Sequence, residues 1–246
     1  MAKPELEFFD TRTIPWQEIK GATGQYEKIL SRDPETGDYT RMIYSQPDLT
    51  GALLNYDKPA GKALIHDIWE EVFTYKGGII DTTLNQTFGT HFYACRPPGM
   101  WHGPLFHPNG CISVENRYRD GIRKKPELEF FDTSILPWQA IEGAPGQYEK
   151  ILSKDPETGD YTRLIYSQPD MTDALLDYNN PKGKVLVHDI WEEVFIIWGG
   201  IIDVSLGMTF GEGFYACRPP GMKHGPLYHP NGCISLEFRY RDPKSR

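Results

Sequence analysis

Residues 3–120 and 125–242 are one segment written twice, at a constant offset of 122 and without a gap, and 89 of the 118 aligned positions are identical. Solenoid repeats recur every ~20–50 residues, whereas a repeat of ~120 is the size of a whole domain. The chain of 246 residues therefore reads as two fused copies, with expected boundaries 1–120 and 125–246. The linker, 121–124 (Gly121-Ile122-Arg123-Lys124), is too short to act as a flexible tether. Such a fusion makes a pseudo-dimer within one chain, and pairing of whole chains into a homodimer stays open.

Each copy reads as all-β. Short runs such as 39–44, 63–66 and 111–114 carry strand-forming residues and are separated by turn chemistry. Asp33-Pro34-Glu35-Thr36-Gly37-Asp38 marks a turn, and Asn109-Gly110 ahead of Cys111 is a strong hairpin signal. Proline and glycine interrupt the pattern too often for long helices. The best helical candidates are 49–56 and their twins 171–178, which Asp48 or Thr50 could cap. Many short strands at this spacing imply a sandwich or barrel.

A net charge of −8 disfavours a nucleic-acid partner, which requires clustered Lys and Arg. No apolar run approaches the ~18 residues of a membrane span, and the opening MAKPELEFFD lacks the apolar core of a signal peptide. Cytoplasmic location and no membrane partner are expected. Cys95, Cys111, Cys217 and Cys233 have no C-x-x-C spacing and read as buried free thiols in strands.

Chemistry concentrates in two stretches per copy. The first, His66-Asp67-Ile68-Trp69-Glu70-Glu71-Val72-Phe73, recurs unchanged from His188 to Phe195. The second, Arg96-Pro97-Pro98-Gly99-Met100-Trp101-His102, recurs from Arg218 to His224 with lysine in place of Trp101. Two imidazoles and a carboxylate converging inside a barrel would form a facial set of metal ligands with open positions opposite. Strand alternation favours Glu71 and Glu193 as the inward acids. An inward Glu70 would carry Lys76 into the barrel with it, a costly burial. An unbent strand would instead offer Asp67 and Asp189.

Both copies resemble cupin domains, and the chain resembles a two-domain bicupin. The pattern G-x5-P-x-G-x2-H is complete at Gly213, Pro219, Gly221 and His224; the first copy keeps Pro97, Gly99 and His102 but has His91 for the glycine. The other cupin pattern is partial: Leu64 and Leu186 occupy its leading histidine position, and Glu70-x6-Gly77 and Glu71-x6-Gly78 fit equally. The resemblance implies tandem jelly-roll β-barrels, each with a divalent metal, Fe(II) preferred and Zn, Mn, Ni or Cu as alternatives. The expected ligands are His66, Glu71 and His102, with His188, Glu193 and His224. Glu70, Arg96 and His107, with Glu192, Arg218 and His229, are candidates for catalytic roles: acid–base work for the glutamates and histidines, a grip on a carboxylate or enolate for the arginines.

The function implied is a metal-dependent enzyme acting on a small oxygen-bearing molecule. Its most concrete form is a non-haem iron dioxygenase cleaving a C–C bond of a diketone or aryl ketone. The alternatives are a redox-silent zinc-type lyase, hydrolase or isomerase, and a small-ligand binding or sensor module. Between copies, Thr74-Tyr75-Lys76 becomes Ile196-Ile197-Trp198, His91 becomes Gly213, Trp101 becomes Lys223 and Asn116 becomes Phe238. Pleat parity puts Asn116 and Phe238 on the interior face, which predicts a more polar first cavity and a more apolar second one.

Overall fold

The structure is a computed structural model and describes residues 3–48, 63–119, 124–170 and 183–241. The helix candidates at 49–56 and 171–178 lie outside the described residues. Within them the chain is an all-β jelly-roll protein with only short 3-10 turns, and no helix among them is long and apolar enough to cross a membrane. It divides into two compact units, one holding Pro15–Ile135 and the other Lys3–Ile14 together with Leu136–Arg246.

In the first unit seven strands form the main sheet. Their spatial order is Leu128–Asp132, Phe92–Arg96, Trp69–Gly77, Cys111–Tyr118, Tyr39–Ser45, Gln25–Arg32 and Gln17–Glu18, all antiparallel. Two smaller ladders complete it: Ile79–Asp81 with Gln86–Phe88 and Leu105–Phe106, and Leu64–Ile65 with Trp101–His102. The second unit repeats this order, with Leu6–Asp10 at the edge beside Phe214–Arg218 and Trp191–Asp203 next in line.

The units do not follow the repeat boundaries at one place. The first strand of each copy, Leu6–Asp10 or Leu128–Asp132, belongs to the unit built otherwise from the other copy. Both segments read Lys-Pro-Glu-Leu-Glu-Phe-Phe-Asp-Thr, so the same hydrogen bonds and the same packing are available to either. Thr133 Oγ1 donates to the His91 carbonyl at 2.8 Å, and Thr11 Oγ1 donates to that of Gly213 at 2.7 Å. His91 (φ 67°) and Gly213 (φ 84°) both lie in the left-handed region, which costs a non-glycine residue about 1 kcal/mol. The His91 ring offsets that by stacking on Phe73, with centroids 5.8 Å apart.

An apolar cluster packs within each unit. Val72, Ile79, Phe88, Ala94, Cys111 and Phe130 form one cluster in the first unit. Phe130, brought by the edge strand, is 7% exposed, and burying such a ring is worth about 2–3 kcal/mol. Phe8 has the same place in the second unit, packed with Phe210 at 4.9 Å. The four cysteines are buried and free.

The central strand Trp69–Gly77 carries a β-bulge. Ser113 faces Thr74 and Ile112 faces Lys76, so Tyr75 is the extra residue; Ile197 is its twin between Ile196 and Trp198. A bulge resets which face each later side chain takes. Gly77 (φ 82°) follows it, and a Cβ there would lie 2.1 Å from the Gly110 carbonyl oxygen, so only glycine fits.

Candidate metal centre

Glu70, not Glu71, meets the histidines. The strand from Trp69 turns Glu70 to the same face as Val72, and the irregular link from Leu64–Ile65 through Asp67 and Ile68 brings His66 beside it. His102 arrives on the short strand paired with Leu64–Ile65. One donor atom from each of His66, Glu70 and His102 lies within 4.8 Å of the others, and His188, Glu192 and His224 repeat the arrangement. His66 Nε2 is 3.4 Å and His102 Nε2 3.7 Å from the nearer Glu70 oxygens; the second unit has 3.5 and 3.6 Å.

Glu71 points the other way and is fully buried. Its carboxylate accepts from Tyr93 Oη at 2.5 Å, Tyr118 Oη at 2.9 Å and Lys125 Nζ at 2.7 Å. Glu193 is held likewise by Tyr215, by Tyr240 at 2.6 Å and by Lys3 at 2.6 Å. The expectation that Glu71 and Glu193 join the histidines is therefore replaced. Its premise fails at the bulge, which leaves Lys76 exposed, over the Tyr75 ring at 4.7 Å, although Glu70 faces the cavity. Asp67 and Asp189 are exposed and outside both clusters.

Two arginines grip the cluster's acid. Arg96 Nη1 donates to Glu70 Oε2 at 2.8 Å, and Arg117 Nη2 donates to Oε1. Arg218 and Arg239 do the same for Glu192. Burial alone would raise the Glu70 pKa, but Arg117 and Arg96 outweigh it and hold the carboxyl below its ordinary range; Glu192 behaves alike. Burial, reinforced by Arg96, lowers the His102 pKa to about 4 against the pull of Glu70. His66, His188 and His224 are lowered too, with burial the largest cause. At neutral pH the set is two neutral imidazoles and one carboxylate.

These residues fit a divalent ion. His66 Nε2, both ring nitrogens of His102, His188 Nε2 and His224 Nδ1 are buried without a hydrogen-bond partner, and a buried imidazole nitrogen is rarely left so. Two donors ~2.1 Å from one ion lie roughly 3.0–3.6 Å apart for angles between about 90° and 120°, close to the spacing observed. Arg117 Nη1 lies 3.4 Å from His66 Nδ1, a contact too long to dictate the tautomer.

Each cluster opens on a cavity, about 530 Å³ in the first unit and 660 Å³ in the second. The second volume includes space beside Gly183 and Lys184, whose counterparts 61 and 62 lie outside the described residues. His107 lines the first cavity, 7% exposed, and its backbone N–H donates to Asp48 at 2.6 Å. Burial lowers its pKa, partly opposed by Asp48. His229 and Asp170 are its twins. Arg96 and Arg218 are buried residues of the cavity wall.

The expected contrast between cavities is overturned. Every described residue lining the first recurs 122 positions away in the second, and Thr23/Pro145 is the one pair of different type. Asn116 stands opposite Glu71 and Phe238 opposite Glu193, on the sheet face away from the cavity. Trp101 is 66% exposed. Pleat parity misled because the lining positions of Cys111–Tyr118 are Cys111, Ser113, Glu115 and Arg117, a mostly polar set that reads as a solvent face. The places of Arg117 and Phe130 on the cavity wall have no motif to reveal them. The Glu115-x-Arg117 alternation is the nearest signal.

No family model and no curated protein matches the sequence. Solved structures match over nearly the whole chain. A provisionally named dioxygenase of Nostoc punctiforme is 16% identical, with TM-score 0.74 over 97% of this chain and 84% of its own. The HEPD of Streptomyces albus, solved with 2-hydroxyethylphosphonate and Fe(II), is 8% identical, with TM-score 0.67 over 98% and 78%. A cupin 2 conserved barrel domain protein of Leptotrichia buccalis is 12% identical, with TM-score 0.59 over 98% and 100%. At these identities the likeness is one of fold, and the fold of this chain is that of cupin-type jelly-roll proteins.

Proposed function

We propose that the chain is a bicupin enzyme with one divalent metal per unit, held by His66, Glu70 and His102 and by His188, Glu192 and His224. It acts on a small oxygen-bearing organic molecule. The carrying observation is the set of buried imidazole nitrogens without a hydrogen-bond partner, His66 Nε2 and both of His102, beside an ionised carboxylate inside a cavity of ligand size. Two histidines and one carboxylate form the donor set of non-haem Fe(II) oxygenases, so iron and dioxygen chemistry is the preferred form, with cleavage of a diketone or aryl ketone its most concrete version. A bound ion would supply Lewis acidity and, as iron, one-electron chemistry.

The chain's own groups do the rest. His66 and His102 stay neutral and present lone pairs; Arg96 and Arg117 fix Glu70 in its anionic form. His107, neutral and on the cavity wall, can accept a proton from an acidic carbon of the substrate. Val72, Ile79, Leu105 and Phe130 keep that wall dry. Four buried free thiols fit a reducing, cytoplasmic setting.

The test is elemental analysis of the purified protein followed by oxygen-electrode assays with diketones and aryl ketones. Iron with substrate-dependent oxygen uptake is expected, falling by half in each of the variants His102→Ala and His224→Ala. Zinc without uptake would replace the oxygenase with Lewis-acid chemistry in which His107 moves the proton. Unchanged turnover in both variants would refute the site.

A further inference from the structure

Each exchanged strand brings more than an edge to its sheet. Glu129 Oε1 accepts from Arg96 Nη2 at 2.7 Å, while the same guanidinium donates to Glu70 through Nη1. Phe130 lies under that guanidinium, 4.6 Å from its ring centroid, and walls the cavity. In the second unit Glu7 accepts from Arg218 at 2.8 Å and Phe8 lies 4.6 Å beneath it. The guanidinium is thus clamped between an outer carboxylate and the cluster's carboxylate, on an aromatic face that fixes its plane. Without the outer carboxylate, Arg96 would settle wholly on Glu70, competing for the oxygens an ion needs and adding an uncompensated positive charge beside it.

We propose that Glu129 and Glu7 are positioning residues of the two clusters, each acting through the arginine that orients the cluster's acid. Because the strands are exchanged, Glu7 governs His188, Glu192 and His224, whereas Glu129 governs His66, Glu70 and His102. The inference rests on the metal reading above. It makes the strand Leu6–Asp10 a determinant of the second site alone.

The full-length protein carries its own control, since the two cavities are lined alike. The probe is Co²⁺, titrated into metal-free protein and followed by its visible absorption. Wild type is expected to take two equivalents as one class. Glu7→Gln should leave one equivalent at wild-type affinity and weaken the other about tenfold or more, as loss of an outer partner of a metal ligand does. The weakened site should have an altered absorption envelope. Glu129→Gln should give the mirror result, and Glu7→Asp, which keeps the charge, should recover most of the affinity. Two equal sites in Glu7→Gln, equal weakening of both, or no recovery in Glu7→Asp would overturn the proposal. Failure of both Gln variants to fold, seen by near-ultraviolet dichroism, would assign the pair to folding and overturn it too. If wild type takes up no cobalt, the metal reading falls and the proposal falls with it; if wild type takes two and the variants match it, only the proposal falls.

Discussion

Glu71→Gln separates the two neighbouring acids of the central strand. The substitution keeps the shape and leaves an oxygen for Tyr118 and Lys125, but it removes the charge that faces the Lys125 ammonium at 2.7 Å. Neither partner is more than 3% exposed at the side chain, so water cannot substitute for the lost carboxylate. Breaking a buried pair from one side costs about 3–5 kcal/mol. Taking the lower end, and about 4 °C per kcal/mol for a domain of roughly 100 residues, the first unit should melt about 12 °C earlier. The second unit keeps its own cage at Glu193, so the calorimetric trace should split in two. Glu71→Gln/Lys125→Met removes both charges and should regain about 2 kcal/mol relative to Glu71→Gln alone, a coupling typical of contacting residues. Cobalt uptake should stay at two equivalents throughout. A variant that melts as wild type, or that loses one cobalt while Glu70→Gln keeps both, would refute the assignment of Glu71 to the far side of the sheet.

Glu70→Gln should abolish cobalt binding at the first site and leave the second intact, with Glu192→Gln doing the converse; equilibrium dialysis decides both. The metal-free protein should lose stability as pH falls from about 6.5 toward about 4. The folded-state pKa values of His66, His102 and His107 lie below their ordinary value, so the unfolded chain binds more protons in that window. Denaturant midpoints that stay flat across it would contradict the burial of neutral imidazoles. Burial raises the thiols of Cys111 and Cys233 to about 12, with Glu115 and Glu237 adding to it. Native protein should therefore be silent toward an aromatic disulfide reagent at pH 8, while four thiols react in denaturant; prompt reaction of the folded protein would place these groups at the surface.

Much of the fold was legible because it rests on local chemistry. Asp33 Oδ1 accepts from the Glu35 N–H at 2.8 Å and Gly37 has φ 76°, the turn that Asp-Pro-Glu-Thr-Gly spells out. His66 and His102 were visible through their motifs. The choice between Glu70 and Glu71 was not, for two physical reasons. Every residue from Trp69 to Tyr75 is buried, so no hydrophobic alternation marks a face. The bulge at Tyr75 then cancels the parity on which Lys76 would have voted. Strand exchange was invisible for a different reason. Residues 3–11 and 125–133 are identical, and a choice between equal partners is made by chain connectivity rather than by side chains.

The same logic bears on whether one site or two should work. Divergence between the copies falls on positions such as Asn85/Gly207, Trp101/Lys223 and Asn116/Phe238, which line neither of the two cavities described above. The interior, although polar and costly to maintain, is matched group for group: three arginines, two glutamates and three histidines on each cavity wall. A buried network of that kind tolerates little piecemeal change, because removing one member leaves its partners charged and dry. Arg117 shows why. It donates to Glu70 and, at 3.1 Å, to Glu115, which also accepts from Arg41 at 2.9 Å. A single exchange at any of these removes one ion-pair partner from two others. Matched interiors therefore follow from folding constraints as well as from chemistry, and equal linings by themselves do not make two active sites. What would make them so is equal affinity for the ion and equal turnover. The paired variants at His102 and His224 measure turnover, while those at Glu7 and Glu129 measure affinity, each against the untouched twin in the same molecule.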